Sequence, residues 1–148
     1  LDDAQLDELA ATYMRFVRGE IPVPGRDYCD MAGDYGGAPE DFDVVNVMLP
    51  RRHHPAFAGN TWEELAGEVA AGLLPAATTL DYDQLVAKPP GHPKAVFHWH
   101  QDLAYWPATP SPETVTLWLA LDDGFTHSHE DDLDVLRGVS GLEGDGPA

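Results

Sequence analysis

The hydrophobic period changes after the second of two helical stretches, and that change limits the folds open to this chain. Over residues 2–18 and 61–74 apolar side chains recur at helical spacing, and from residue 80 they alternate. Over residues 2–18, Leu6, Leu9, Ala10, Tyr13 and Val17 mark one helical face. Asp2, with Gln5 three positions on, can cap this helix, while Arg15, Arg18 and Gly19 suit its last turn and its stop. A second helix is predicted over 61–74, with Thr61 and Glu64 as a capping box. Trp62, Leu65, Ala66, Val69, Ala70 and Leu73 lie on its apolar face before Pro75.

Beyond that point "LDYDQLVA" (80–87), "AVFHW" (95–99) and "TVTLWLAL" (114–121) read as strands, and "VVNVML" (44–49) adds a shorter one. "KPPGHPK" and "PATPSPE" are turn-forming connections. Helices followed by strands point to an α+β or mainly β domain. The proline- and glycine-rich stretch from Glu20 to Asp43 reads as a long ordered loop. Its aromatic residues Tyr28, Tyr35 and Phe42, with Phe57 beyond, are predicted to pack over the body of the fold.

A chain of 148 residues with 43% hydrophobic side chains is sized for one globular core. The formal net charge of −18 disfavours nucleic acid and anionic membranes, since both require a basic footprint. The lone Cys29 excludes an intrachain disulfide and a multi-cysteine zinc site. With no long apolar run and an acidic N-terminal stretch, a cytoplasmic location is the expectation.

The chemistry concentrates in "AVFHWHQDLAYWP", residues 95–107. If the stretch is extended, Val96, His98, His100 and Asp102 project from one face, and Phe97, Trp99 and Gln101 from the other. Imidazole nitrogens with a carboxylate suit iron(II), manganese or zinc, and two histidines plus one carboxylate are the ligand set of non-haem iron(II) oxygenases. A hydrolytic zinc site on His98, His100 and Asp102 is a second reading. A polar face on a half-exposed strand is a third.

"WHQDLAYWP", followed after a short proline-rich loop by "TVTLWLALDD", resembles the phytanoyl-CoA dioxygenase family of iron(II)/2-oxoglutarate oxygenases. "IPVPGRDYCDMAGDYG", "VVNVMLPRR" and "LDYDQLVAKPPG" are similar to its bacterial members, so the likeness spans roughly residues 1–123. The resemblance implies a double-stranded β-helix (jelly roll) with N-terminal helices packed outside, Fe(II) and 2-oxoglutarate as cofactors, and hydroxylation of a small-molecule substrate. It implies metal ligation by His100 and Asp102, leaves His98 a neighbour, and turns Gln101 toward the cosubstrate. Trp118 falls where the family places an aromatic residue near 2-oxoglutarate, and simple core burial is the competing reading. Lys88 matches a lysine that could neutralise a carboxylate, against a plain surface lysine. Tyr105 and Trp106 either wall the pocket or close the core. Arg51, Arg52, His53 and His54 form the one cationic cluster, a polar loop or a grip for an anionic substrate.

After Asp123 the resemblance stops, and residues 124–148 form an acidic, glycine-rich tail. His127, with Arg137 ten residues on, has a spacing near that of the family's last ligand and its anion-binding arginine; His129 competes for the ligand role, and a short acidic helix is the plainer reading of the segment. A jelly roll needs about eight strands, more than the four read above. A truncated or frameshifted member is the expectation, ahead of a miniature with a rebuilt site or a homo-oligomer completed by another chain. A remnant that only binds or dimerises is the corresponding non-enzymatic reading.

Overall fold

A computed structural model describes residues 1–33, 35, 37–75, 77–92, 94–96, 99–105 and 113–121. Its first element, α1 (Asp3–Val17), begins as the sequence predicts. The Asp2 carboxylate accepts from the Gln5 N–H at 2.9 Å, and the Gln5 side chain accepts from the Asp2 N–H at 2.9 Å. Gly19, at φ 69°, ends the helix in the left-handed conformation that costs glycine least.

The face of α1 that matters most centres on Phe16, which is fully buried with Ile21 and Val47. Tyr28, Val23 and Leu85 pack against that cluster. Phe57 and His54 meet the Phe16 ring edge-on, with centroids at 6.1 and 6.2 Å. Burying a phenylalanine of this kind contributes about 3 kcal/mol.

The sheet under α1 has three antiparallel strands in the order β1 (Tyr28–Asp30), β2 (Val45–Met48), β3 (Gln84–Ala87). Tyr28, Val47 and Leu85 stand in one cross-strand row and supply the face toward Phe16. The next row, Cys29, Asn46 and Val86, points the other way because side chains alternate along a strand. Cys29 and Asn46 are buried there, with the Asn46 amide 3.6 Å from the Cys29 sulfur. β1 is a correction to the expected loop over 20–43: three residues are too few to show alternation, and pairing with β2 makes the strand. Of the four aromatic residues around that loop, Phe42 is buried and Tyr28 and Phe57 pack as predicted, whereas Tyr35 is exposed.

β2 ends at Met48, and Leu49 adopts φ 52° before Pro50 opens the single-turn helix α2 (Pro50–His53). The longer helix α3 (Thr61–Leu73) is capped by Asn60 rather than by Thr61. The Asn60 side chain accepts from the Trp62 and Glu63 N–H groups, both at 3.0 Å, and Glu63 reaches back to the Gly59 N–H. Asparagine is the better cap, and Thr61 then takes the first helical position. No residue of α3 is fully buried, so its apolar stripe is only partly covered.

The later strands are shorter than the sequence pattern predicts. Of 80–87 only Gln84–Ala87 pairs. Of the strand expected over 95–99, residues 95, 96 and 99 are described and belong to no ladder, with the Val96 N–H 2.7 Å from the Lys94 carbonyl. Residues 113–121 alternate between half-covered and exposed positions as a strand would, yet belong to no ladder among the described residues. The observed architecture is therefore a small α+β arrangement, and the described residues do not build a complete jelly roll. No described helix is long and apolar enough to cross a membrane.

Candidate metal and cosubstrate site

Among the described residues of the motif, His100 and Gln101 belong to no strand, and His98 lies outside the described residues. Gln101 stands at the N-cap of a 3-10 turn over Asp102–Ala104, and the Tyr105 N–H closes that turn on the Asp102 carbonyl at 2.9 Å. Gln101, the residue between His100 and Asp102, keeps an extended backbone at φ −106° and ψ 126°. His100 Nε2 lies 3.3 Å from Asp102 Oδ1, with the two side chains 37% and 54% exposed. The Tyr105 ring meets the His100 ring edge-on at 5.6 Å between centroids, covering one side of the imidazole.

That separation fits a shared metal ion. Ligand atoms bonded at about 2.1 Å lie roughly 3.0 Å apart when adjacent on an octahedron and roughly 3.4 Å apart on a tetrahedron. Both side chains are also partly open to solvent, as an ion entering from water requires. Among the described residues no third histidine, cysteine, aspartate or glutamate joins them to complete a metal-binding group.

The other singled-out residues divide clearly. Lys88 is exposed one residue past β3, and Gln101 is exposed beside the pair. Trp118 is 66% exposed. Tyr105 is exposed as well and stands edge-on to the His100 ring. His98, Trp106, His127, His129 and Arg137 lie outside the described residues. A cleft of about 350 Å³ between the end of α1 and Pro39–Glu40 is lined by none of the proposed metal or cosubstrate residues.

The cationic cluster at 51–54 is largely committed to acidic partners. Arg51 lies 3.7 Å from Glu63 and 3.5 Å from Asp83, and it also donates to the Leu80 carbonyl at 3.2 Å. Burial pushes the Asp83 carboxyl above its ordinary range, with the Arg51 charge opposing that rise. His53 Nε2 sits 2.9 Å from Asp27 Oδ2. These contacts tie α2 to the sheet and to α3, and they leave Arg52 as the exposed cation of the cluster.

Sequence reasoning missed a carboxylate network that holds the β1–β2 connection. Asp30 Oδ1 accepts from the Ala32 N–H at 3.0 Å and the Val44 N–H at 2.9 Å, and Oδ2 accepts from the Asp43 N–H at 3.2 Å. Burial alone would raise its pKa, but these N–H groups, with the charge of His92, outweigh that and hold the carboxyl below its usual range. The available signal was Asp30 two residues before Ala32, the spacing of an aspartate that turns the backbone onto its own side chain. Asp43 in turn lies 3.1 Å from His92 Nδ1.

The sequence profile of the family described as phytanoyl-CoA dioxygenase (PhyH) matches residues 2–126. The chain belongs to that family. A search of curated proteins returned no match, and neither did a search of solved structures. At the level of the phytanoyl-CoA dioxygenase family the chemistry is that of an Fe(II)/2-oxoglutarate-type oxygenase. The match contains His100, Asp102, Gln101, Lys88 and Trp118 and ends one residue before His127. His127 and Arg137 therefore rest on resemblance in spacing alone.

Proposed function

We propose that this chain is an Fe(II)/2-oxoglutarate-dependent dioxygenase that hydroxylates a C–H bond of a small-molecule substrate. The observation that carries the reading is the 3.3 Å approach of His100 Nε2 and Asp102 Oδ1 inside the stretch matched to the phytanoyl-CoA dioxygenase family. His100 and Asp102 would hold the iron, with His127 as the third ligand. Gln101, Lys88, Trp118 and Arg137 would serve the cosubstrate.

Bound iron and 2-oxoglutarate supply dioxygen activation and the oxidising equivalents, the cosubstrate leaving as succinate and carbon dioxide. What the protein contributes is placement and charge. Asp102 would offer a carboxylate oxygen and His100 its Nε2 as donor atoms to the metal. Tyr105, edge-on to the His100 ring, limits rotation of the imidazole and shields one side from water. Lys88 brings a cation to a chain that has few, suited to one carboxylate of the cosubstrate.

Anaerobic addition of Fe(II) and then 2-oxoglutarate to the full chain tests this reading. The expected result is the weak visible charge-transfer band of the chelated keto acid, together with succinate formation once oxygen is admitted. Absence of the band at saturating iron and cosubstrate would overturn the proposal. Tight zinc binding with ester cleavage would instead favour the hydrolytic site.

A further inference from the structure

We infer that His92 is a positioning residue that tethers the turn leading into the His100–Asp102 pair to the β1–β2 connection. The inference rests on the iron-site reading for its functional meaning, while the tether stands on its own geometry. His92 follows Gly91, which takes φ 82°, and its carbonyl accepts from the Ala95 N–H at 3.0 Å. That turn is local, and a local turn on the surface does not fix where the following residues sit.

The His92 side chain adds the long-range contact. Its Nδ1 reaches Asp43 Oδ1 at 3.1 Å, 49 residues away in sequence, and both side chains are largely covered. Asp43 is itself held, because its N–H donates to the buried Asp30 carboxylate that also accepts from Val44 and Ala32. The path thus runs from β1 through Asp30 and Asp43 to His92, and eight residues later the chain reaches His100. The His100 and Asp102 side chains are 37% and 54% exposed. A fixed start to their segment narrows the positions that the pair can sample, and narrower sampling before binding raises affinity.

Lysine usage gives a direct test. Lys88 and Lys94 are the two lysines of the chain, and Lys94 is exposed within the tethered turn. Cleavage of the folded full chain after Lys94 by a lysine-specific protease reports the freedom of that turn. His92→Ala and Asp43→Asn should each raise the cleavage rate about tenfold, with the urea midpoint close to wild type. His92→Asn puts an amide N–H₂ near the place of Nδ1 and should restore slow cleavage, whereas His92→Gln, whose amide falls nearer Nε2, should not. Iron affinity, measured in anaerobic titrations, should fall about tenfold in His92→Ala and recover in His92→Asn.

Unchanged cleavage in His92→Ala, or equal behaviour of the asparagine and glutamine variants, would overturn the tether. Faster cleavage with unchanged iron affinity would overturn its positioning role. If the wild type binds no iron, the oxygenase reading fails, and the Lys94 cleavage rates still decide whether the tether exists.

Discussion

Asp30 closes β1 and Asp102 opens a turn of 3-10 helix, and the two carboxylates meet different surroundings. Asp30 is 7% exposed, with three backbone N–H groups directed at its oxygens. Asp102 has a side chain 54% exposed, and His100 Nε2 stands 3.3 Å from one of its oxygens. The first is committed to holding a loop; the second retains acceptor capacity and access to water. A buried, saturated carboxylate stabilises the fold, and an open one beside an imidazole is available for an ion from solution.

The largest expected effect tests Asp102 and its partner. His100→Ala and Asp102→Ala should each lower Fe(II) affinity by at least about 100-fold, since loss of a residue merely supporting a metal ligand already costs up to that much. Anaerobic titration followed by dialysis measures it. Asp30→Asn, assayed while folded, should bind iron as the wild type does. Iron binding lost in Asp30→Asn but kept in Asp102→Ala would reverse the assignment of the two carboxylates.

Stability should show the opposite ranking. Asp30→Ala leaves three N–H donors without their acceptor and should cost about 3 kcal/mol in urea unfolding, at about 1 kcal/mol for each bond. Asp102→Ala should stay within about 0.5 kcal/mol, as expected of an exposed side chain. A cost at Asp102 equal to that at Asp30 would make Asp102 a structural residue too.

Gly33 sharpens the picture of the Asp30 site. A Cβ at Gly33 would lie 2.9 Å from Asp30 Oδ2, a distance that forces the carboxylate or the loop to move. Gly33→Ala should therefore cost about 1–2 kcal/mol. Gly67, within α3 with nothing inside 4 Å of its Cβ position, is the control. There the same substitution should stabilise by up to about 1 kcal/mol through helix propensity alone.

Much of the framework was legible because local rules decide it. The Asp2–Gln5 box, the stop at Gly19 and the apolar core of β2 follow from spacing and residue type. β1 was hidden because pairing with β2 makes it a strand, and its three residues carry no pattern of their own. The importance of Phe16 escaped a reading that placed Leu9 and Tyr13 on the helix face, since burial depends on what Val47 and Ile21 bring from elsewhere. At the site, the closeness of His100 and Asp102 was legible from their two-residue spacing, and the extended backbone of Gln101 between them agrees with it, whereas the turn that begins at Asp102 was not anticipated. The link from His92 to Asp43 spans 49 residues, and no local pattern announces a contact of that range.

The smallest effect is the dependence of stability on acid. Asp30 has a folded pKa below its unfolded value, which lies near 3.9 for an aspartate. Its contribution is therefore complete above about pH 4 and is lost as pH falls toward and through the lower folded value. Acid also relieves the self-repulsion of a chain with net charge −18, a general gain that could mask one residue. Comparing wild type with Asp30→Asn in urea between pH 2.5 and 5 separates the two, because the general gain is shared. The stability difference between them should shrink as pH falls, by no more than about 1.4 kcal/mol per pH unit for one group. A difference constant across that range would mean that the N–H groups around Asp30 hold its neutral form as well as its charged one, and the contrast with Asp102 would then rest on burial alone.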